Sequence, residues 1–219
     1  QADATPFNTA ASFSSRGPGT FLLPTAPTSG TNIPGVRAAV DISAPGDQLT
    51  LAAYLGKSGG NRNAATNDLS ANFYFTNSGG TSFSSPIVTG GAALMVDAAK
   101  AFGYAKGTDG RVVKAIMMNA ADKTAGWTNN ATVISGVNTT TQGLDWITGA
   151  GRLNLTRTFF QQNGGTRDVA GLGGGNVLQT GWDFGNAASG TPNRYQIDSD
   201  LLFGHDFDAT LSWWAKEQF

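Results

Sequence analysis

The chain has 219 residues, room for one domain of ordinary size and part of another. Hydrophobic residues at 40% can bury a substantial core, while 13% charged residues and 30 glycines, about half and about twice the usual shares, describe a loop-rich protein with a neutral polar surface. A net charge of −1 gives no electrostatic footprint for nucleic acid or an anionic membrane, no apolar run reaches the roughly 20 residues that span a bilayer, and the lack of cysteine excludes disulfides, thiol catalysis and cysteine-based metal sites.

In chain order, Ala11–Arg16 (ASFSSR) runs into the turn Gly17-Pro18, and a Pro/Thr/Gly-rich loop extends to about Gly35. Val36–Ser43 (VRAAVDIS) reads as a short buried strand, stopped by Ala44-Pro45-Gly46. Both Gly17-Pro18 and Ala44–Gly46 read as turn chemistry only. A second polar loop covers about 56–68, and Ala71–Phe75 is a strand-like run that delivers the chain to Ser78-Gly79-Gly80.

The pattern then predicts a helix from Ser84 or Ser85 to about Phe102, capped by one of those serines, with Pro86 in its first turn and Gly103 as the C-terminal cap. Its first half is apolar or small all round, as in a fully buried helix. Gly90 and Gly91 each cost about 1 kcal/mol against alanine there, which implies another backbone packed close. A second helix, about Asp109 to Asp122, sets Val112, Ile116 and Ala120 on one face. Gly149–Leu155 (GAGRLNL) is a turn leading into an amphipathic segment to about Gln162. Asn163–Asn176 reads as a linker, and beyond it the segments around Tyr195 and Leu211 alternate like sandwich strands. No internal repeat is present.

On local chemistry alone, Ser82 is open to two readings, a helix-capping hydroxyl or a nucleophile. Its companion motifs decide between them. Ala11–Pro18 (ASFSSRGP), Asp41–Gly46 (DISAPG), Gly80–Pro86 (GTSFSSP) and Gly149–Asn154 (GAGRLN), in that order, resemble the C-terminal half of a subtilisin-like serine peptidase, over roughly residues 10–160. The segment VVKAIMMNAADKT between them is similar to the same part of that family. The resemblance implies that Ser82 is the acylating nucleophile, that its N–H is one oxyanion donor, and that the Thr81 hydroxyl assists. A helix N-terminus suits that role, because free N–H groups favour negative charge.

The family's Asp, His and oxyanion Asn come from segments ahead of the ASFSSR stretch, and no such segments stand in this sequence. The single histidine, His205, comes after Ser82 and cannot take the family's His position. The Ser–Asp–His order of α/β-hydrolases requires G-x-S-x-G, and the second glycine is absent around Ser82. His205 reads instead as a loop histidine bonded to neighbouring carboxylates. Asp198, Asp200, Asp206 and Asp208 offer oxygen ligands to a structural calcium, but Leu202 stands at the third ligand position, so no metal residues are assigned. Sequons at Asn130, Asn138 and Asn154 are explained by chance in a chain so rich in Asn and Thr.

The expectation is therefore an α/β protein. Residues 1–162 form the C-terminal half of a doubly wound, mostly parallel-sheet domain, and residues 163–219 a Gly-rich linker and the start of a β-sandwich or jelly-roll-like domain. The implied function is a secreted serine endopeptidase acting on protein or peptide substrates, without a cofactor; the alternative is a non-catalytic module with the same fold. Gln1 and Phe219 both fall where no domain boundary is expected, so the chain reads as a piece of a cleaved or shortened protease. Its implied partner is a non-covalent N-terminal fragment carrying the Asp and His. Alone, the chain is expected to be inactive.

Overall fold

A computed structural model describes residues 8–26, 29–52, 74–140, 142–165, 174–186, 189–197, 200 and 207–213. The expected polar loop at 56–68 and the start of the Ala71–Phe75 run lie outside the described residues.

The fold is mixed helix and strand, as an α/β domain of this type requires. Strands β1 (Gly19–Ala26) and β2 (Ser29–Arg37) form an antiparallel hairpin where the sequence predicted a loop. The prolines that suggested a loop, Pro24 and Pro34, are tolerated because every strand of a two-stranded ribbon has an edge needing no N–H. Strand β3 (Leu49–Ala52) pairs antiparallel with β4 (Tyr74–Ser78), which ends opposite Leu49.

The buried strand predicted for Val36–Ser43 is corrected: β2 ends at Arg37, and beyond it only Ser43 makes a bridge, parallel to Arg152. Asp41 and Ser43 are its hydrogen-bonded residues. Ala150 N–H donates to the Asp41 carbonyl at 2.9 Å, Ser43 N–H to the Gly151 carbonyl at 2.9 Å, and Leu153 N–H to the Ser43 carbonyl at 2.8 Å.

Helix α1 (Thr81–Ala101) begins three residues earlier than predicted, with Gly80 as its N-cap. Ser84 and Ser85 are therefore inside the helix and cap nothing, and Pro86 stands in its second turn. The chain leaves α1 through Gly103 at φ +74°. The helix is not buried on all sides. Gly91, Met95 and Ala99, four apart, form its buried stripe, while Ile87 and Leu94 are exposed. Of the glycine pair, Gly90 faces open space. Only Gly91 is closely packed, and against side chains rather than a backbone: a Cβ there would lie 2.7 Å from Leu155 Cδ2.

After a 3-10 turn, Ala105–Thr108, helix α2 (Gly110–Asn119) starts at Asp109, whose carboxylate accepts the Arg111 N–H. Val112, Ile116 and Ala120 are buried, as the spacing predicted. Met95, Val112, Val113, Ile116 and Met117 make the main core, and Met118, Ala121 and Ala150 a smaller one; Ile42 packs on both. Strands β5 (Thr132–Ile134) and β6 (Val137–Thr139) form a short exposed hairpin.

Helix α3 (Leu155–Gly164) is capped by Asn154, whose side-chain oxygen accepts the Arg157 N–H. Trp182 and Phe184 return to pack against the main core, so the α layers hold part of the chain beyond α3. Strand β7 (Gly175–Val177) pairs parallel with β8 (Tyr195–Ile197), as strand-like patterning around Tyr195 suggested. Residues 207–213, around Leu211, carry no regular structure, contrary to expectation. Among the described residues the strands make four two-stranded sheets, three of them antiparallel, and the expected doubly wound parallel sheet is not among them.

Candidate active site

The four distant motifs meet in space. A cavity of about 550 Å³ is lined by residues of all of them, including Phe13, Ser15, Asp41, Ser43, Ser84 and Arg152. Its charged lining residues are Asp41, Asp47 and Arg152, so it carries no strong field of either sign.

Ser82 stands beside this cavity but does not line it; Thr81, Ser84, Ser85, Val88 and Thr89 do. It is the second residue of α1 and exposed. Among the described residues neither its N–H nor its hydroxyl has a hydrogen-bond partner. Pro86, one turn on, has no N–H to give the Ser82 carbonyl. The start of α1 thus presents a free hydroxyl and an uncommitted amide donor on the same residue, with the positive end of a 21-residue helix behind them.

Gly80 N–H donates to the Gly46 carbonyl at 2.7 Å, and Phe83 N–H to the Gly80 carbonyl at 3.0 Å. A Cβ on Gly46 would collide with Ser84 Oγ and lie 3.1 Å from the Gly80 carbonyl oxygen. The glycine of Ala44-Pro45-Gly46 is therefore a close-approach residue, not a turn residue alone. Asp47 plays the reciprocal part, since a Cβ on Gly79 would meet its carboxylate. Sequence reasoning missed both roles. The available signal was the doublet Gly79-Gly80, more flexibility than one turn needs.

The GAGRLN motif is a structural clasp. Gly149, at φ +66°, lets Ala150 reach Asp41, and Gly151, at φ +127°, sits against the Asp122 carbonyl. Arg152 and Asp122 exchange both main-chain hydrogen bonds at 2.8 Å. The Asp122 carboxylate then collects Arg152, Asn154 and Arg157. Burial pushes its pKa up, but these donors outweigh burial and hold it below the ordinary value. Asp145, also missed by the sequence reading, braces the turn ahead of the clasp: its carboxylate accepts from the Ile147, Thr148 and Thr128 N–H groups.

Of the residues weighed for catalysis or calcium, His205, Asp198 and Asp206 lie outside the described residues, as does Leu202. Asp200 and Asp208 are described, and among the described residues no three metal-ligating side chains cluster.

The model of the subtilase family matches residues 2–151. Comparison with curated proteins and with solved structures gave no match. The match covers more than half of the chain, and the chain belongs to the subtilase family. A serine-peptidase type of function comes with that membership. Among the described residues, no helix is long and apolar enough to cross a membrane.

Proposed function

We propose that this chain supplies the nucleophile and one oxyanion donor of a serine endopeptidase that cleaves protein or peptide substrates. The observation that carries the reading is Ser82 itself. It is exposed at the second position of α1, its hydroxyl and N–H without a partner among the described residues, beside the cavity where the four motifs converge.

Ser82 Oγ attacks the scissile carbonyl and gives its proton to a base. The carbonyl electrons move onto oxygen beside the Ser82 N–H, a donor worth about 3 kcal/mol in such sites. Collapse expels the amine, which takes the proton, and leaves an acyl ester on Ser82; water then repeats the steps and frees the acid. An unassisted serine is a weak nucleophile, and the sequence has one histidine, His205, outside the family's motif order. We therefore place the base, its orienting carboxylate and the side-chain oxyanion donor on a segment outside these 219 residues. In this reading a second, β-rich domain begins within residues 163–219, beyond the stretch that Trp182 and Phe184 dock on the main core, and the site of action is extracellular. The absence of a base beside Ser82 among the described residues also suits a second reading, a binding module that has given up catalysis.

A fluorophosphonate probe, with the labelled peptide found by mass spectrometry, separates these readings. Slow labelling of the chain alone, raised on co-refolding with a subtilase fragment carrying the Asp and His and abolished by Ser82→Ala, supports the peptidase. Fast labelling of the chain alone overturns the claim that the base is supplied separately. No labelling in either state leaves the binding module.

A further inference from the structure

We infer that Gly46 is a positioning residue for Ser82, acting through Gly80. The catalytic consequence rests on the reading of Ser82 as nucleophile; the mechanical one does not. Helix α1 has no side-chain cap, and its N-cap Gly80 offers none. A helix start without a cap leaves its first donors unrestrained, so something else must fix where the first turn lies. The tie is the 2.7 Å hydrogen bond from Gly80 N–H to the Gly46 carbonyl, two residues from Ser82.

Sterics make this tie specific. Gly46 has no left-handed φ that would demand glycine, so its glycine identity answers to space alone. Any Cβ there would occupy the place of Ser84 Oγ, one turn into α1. The pairing of β3 with β4 ends at Leu49 and Ser78, so both partners of the tie lie beyond the ladder. Gly79 closing on Asp47 makes a second contact of the same kind between the two segments. Turn and helix start are thus interlocked by one main-chain hydrogen bond and by side-chain contacts, and a Cβ at residue 46 displaces Ser84 Oγ while pressing on the Gly80 carbonyl at 3.1 Å, which loosens the Ser82 turn.

Amide exchange measured by mass spectrometry over residues 78–86 of the 219-residue chain tests the tie without reference to catalysis. Gly46→Ala should speed exchange there about tenfold, the loss of one main-chain hydrogen bond. Ser84→Ala alone should leave it near wild type, and the pair Gly46→Ala with Ser84→Ala should restore most of the protection, because the blocking atom is gone. Unchanged exchange in Gly46→Ala overturns the inference. If Gly46→Ala unfolds the whole chain, recovery of a cooperative melt in the double variant supports the same contact, and failure of both variants to fold overturns it. Fluorophosphonate labelling of Ser82 in the co-refolded pair should fall at least about tenfold in Gly46→Ala and recover in the double variant. An exchange effect in a protein that never labels retires the peptidase reading and leaves the positioning contact standing.

Discussion

Gly149 stands against the main chain of Asp41, with an ideal Cβ only 2.5 Å from the Asp41 carbonyl oxygen and a φ of +66°. Both the space and the backbone conformation exclude a side chain, and the segment touched cannot retreat without leaving Ala150 and Gly151. Gly149→Ala should destabilise the chain by about 3 kcal/mol, read as a drop in the urea midpoint.

Gly90 makes the opposite case. It lies inside α1 with nothing within 4 Å of an added Cβ, so glycine there costs helix stability without a packing return. Gly90→Ala should stabilise by about 1 kcal/mol in the same measurement. A loss of stability would mean that the exposed side of the helix is covered in solution.

Asp145 governs the acid limb of stability. Burial raises its pKa, but the N–H groups of Thr148, Ile147 and Thr128, with the Thr148 hydroxyl, bring it below the ordinary 3.8. A group with a depressed folded pKa stabilises above its unfolded value and loses that contribution as pH falls through the folded one. Melting temperatures should be flat above about pH 5 and fall below pH 4, where Asp122 and Asp109 (held at about 2, chiefly by the Arg111 side chain) add the same sign. Asp145→Asn should cost about 2–3 kcal/mol at neutral pH and flatten the acid limb.

Gln162 is fully buried on α3; its Nε2 donates to the Gly107 carbonyl at 3.1 Å, while Oε1 has no partner among the described residues. Gln162→Glu would set a carboxylate beside that carbonyl, costing about 3 kcal/mol or more at neutral pH. The raised folded pKa reverses the usual sign. Relative to the unsubstituted chain at the same pH, the variant should be least impaired below the unfolded glutamate value and more impaired as pH rises, so a smaller deficit in melting temperature at pH 7 than at pH 4.5 contradicts this environment.

Trp182 ties the segment after α3 to the core: its Nε1 donates to the Gln162 carbonyl at 3.1 Å, and its ring meets Tyr104 edge-on at 5.9 Å. Phe184 beside it lies against Lys106 at 5.0 Å and Arg111 at 4.8 Å. Trp182→Ala should cost about 3 kcal/mol and open residues 174–186 to limited proteolysis, with α1 and α2 still protected. Uniform opening of the whole chain would show one cooperative unit instead.

The helices and the motif set were legible in the sequence because both are local. Val112, Ile116 and Ala120 repeat at the period of one helix face, and four short stretches in fixed order identified the family without a coordinate. Only the tertiary structure decided where α1 begins and what the glycines are for. The hydrogen bond that fixes Gly80 comes from Gly46, 34 residues earlier in the numbering, and no propensity of Ser84 or Ser85 could announce it. The same limit turned the predicted strand Val36–Ser43 into a segment with a single bridge, at Ser43, and the predicted loop after Gly17-Pro18 into a hairpin. Strand pairing and close backbone approach are contacts between distant residues, and their free energy resides in the pair rather than in either partner's sequence.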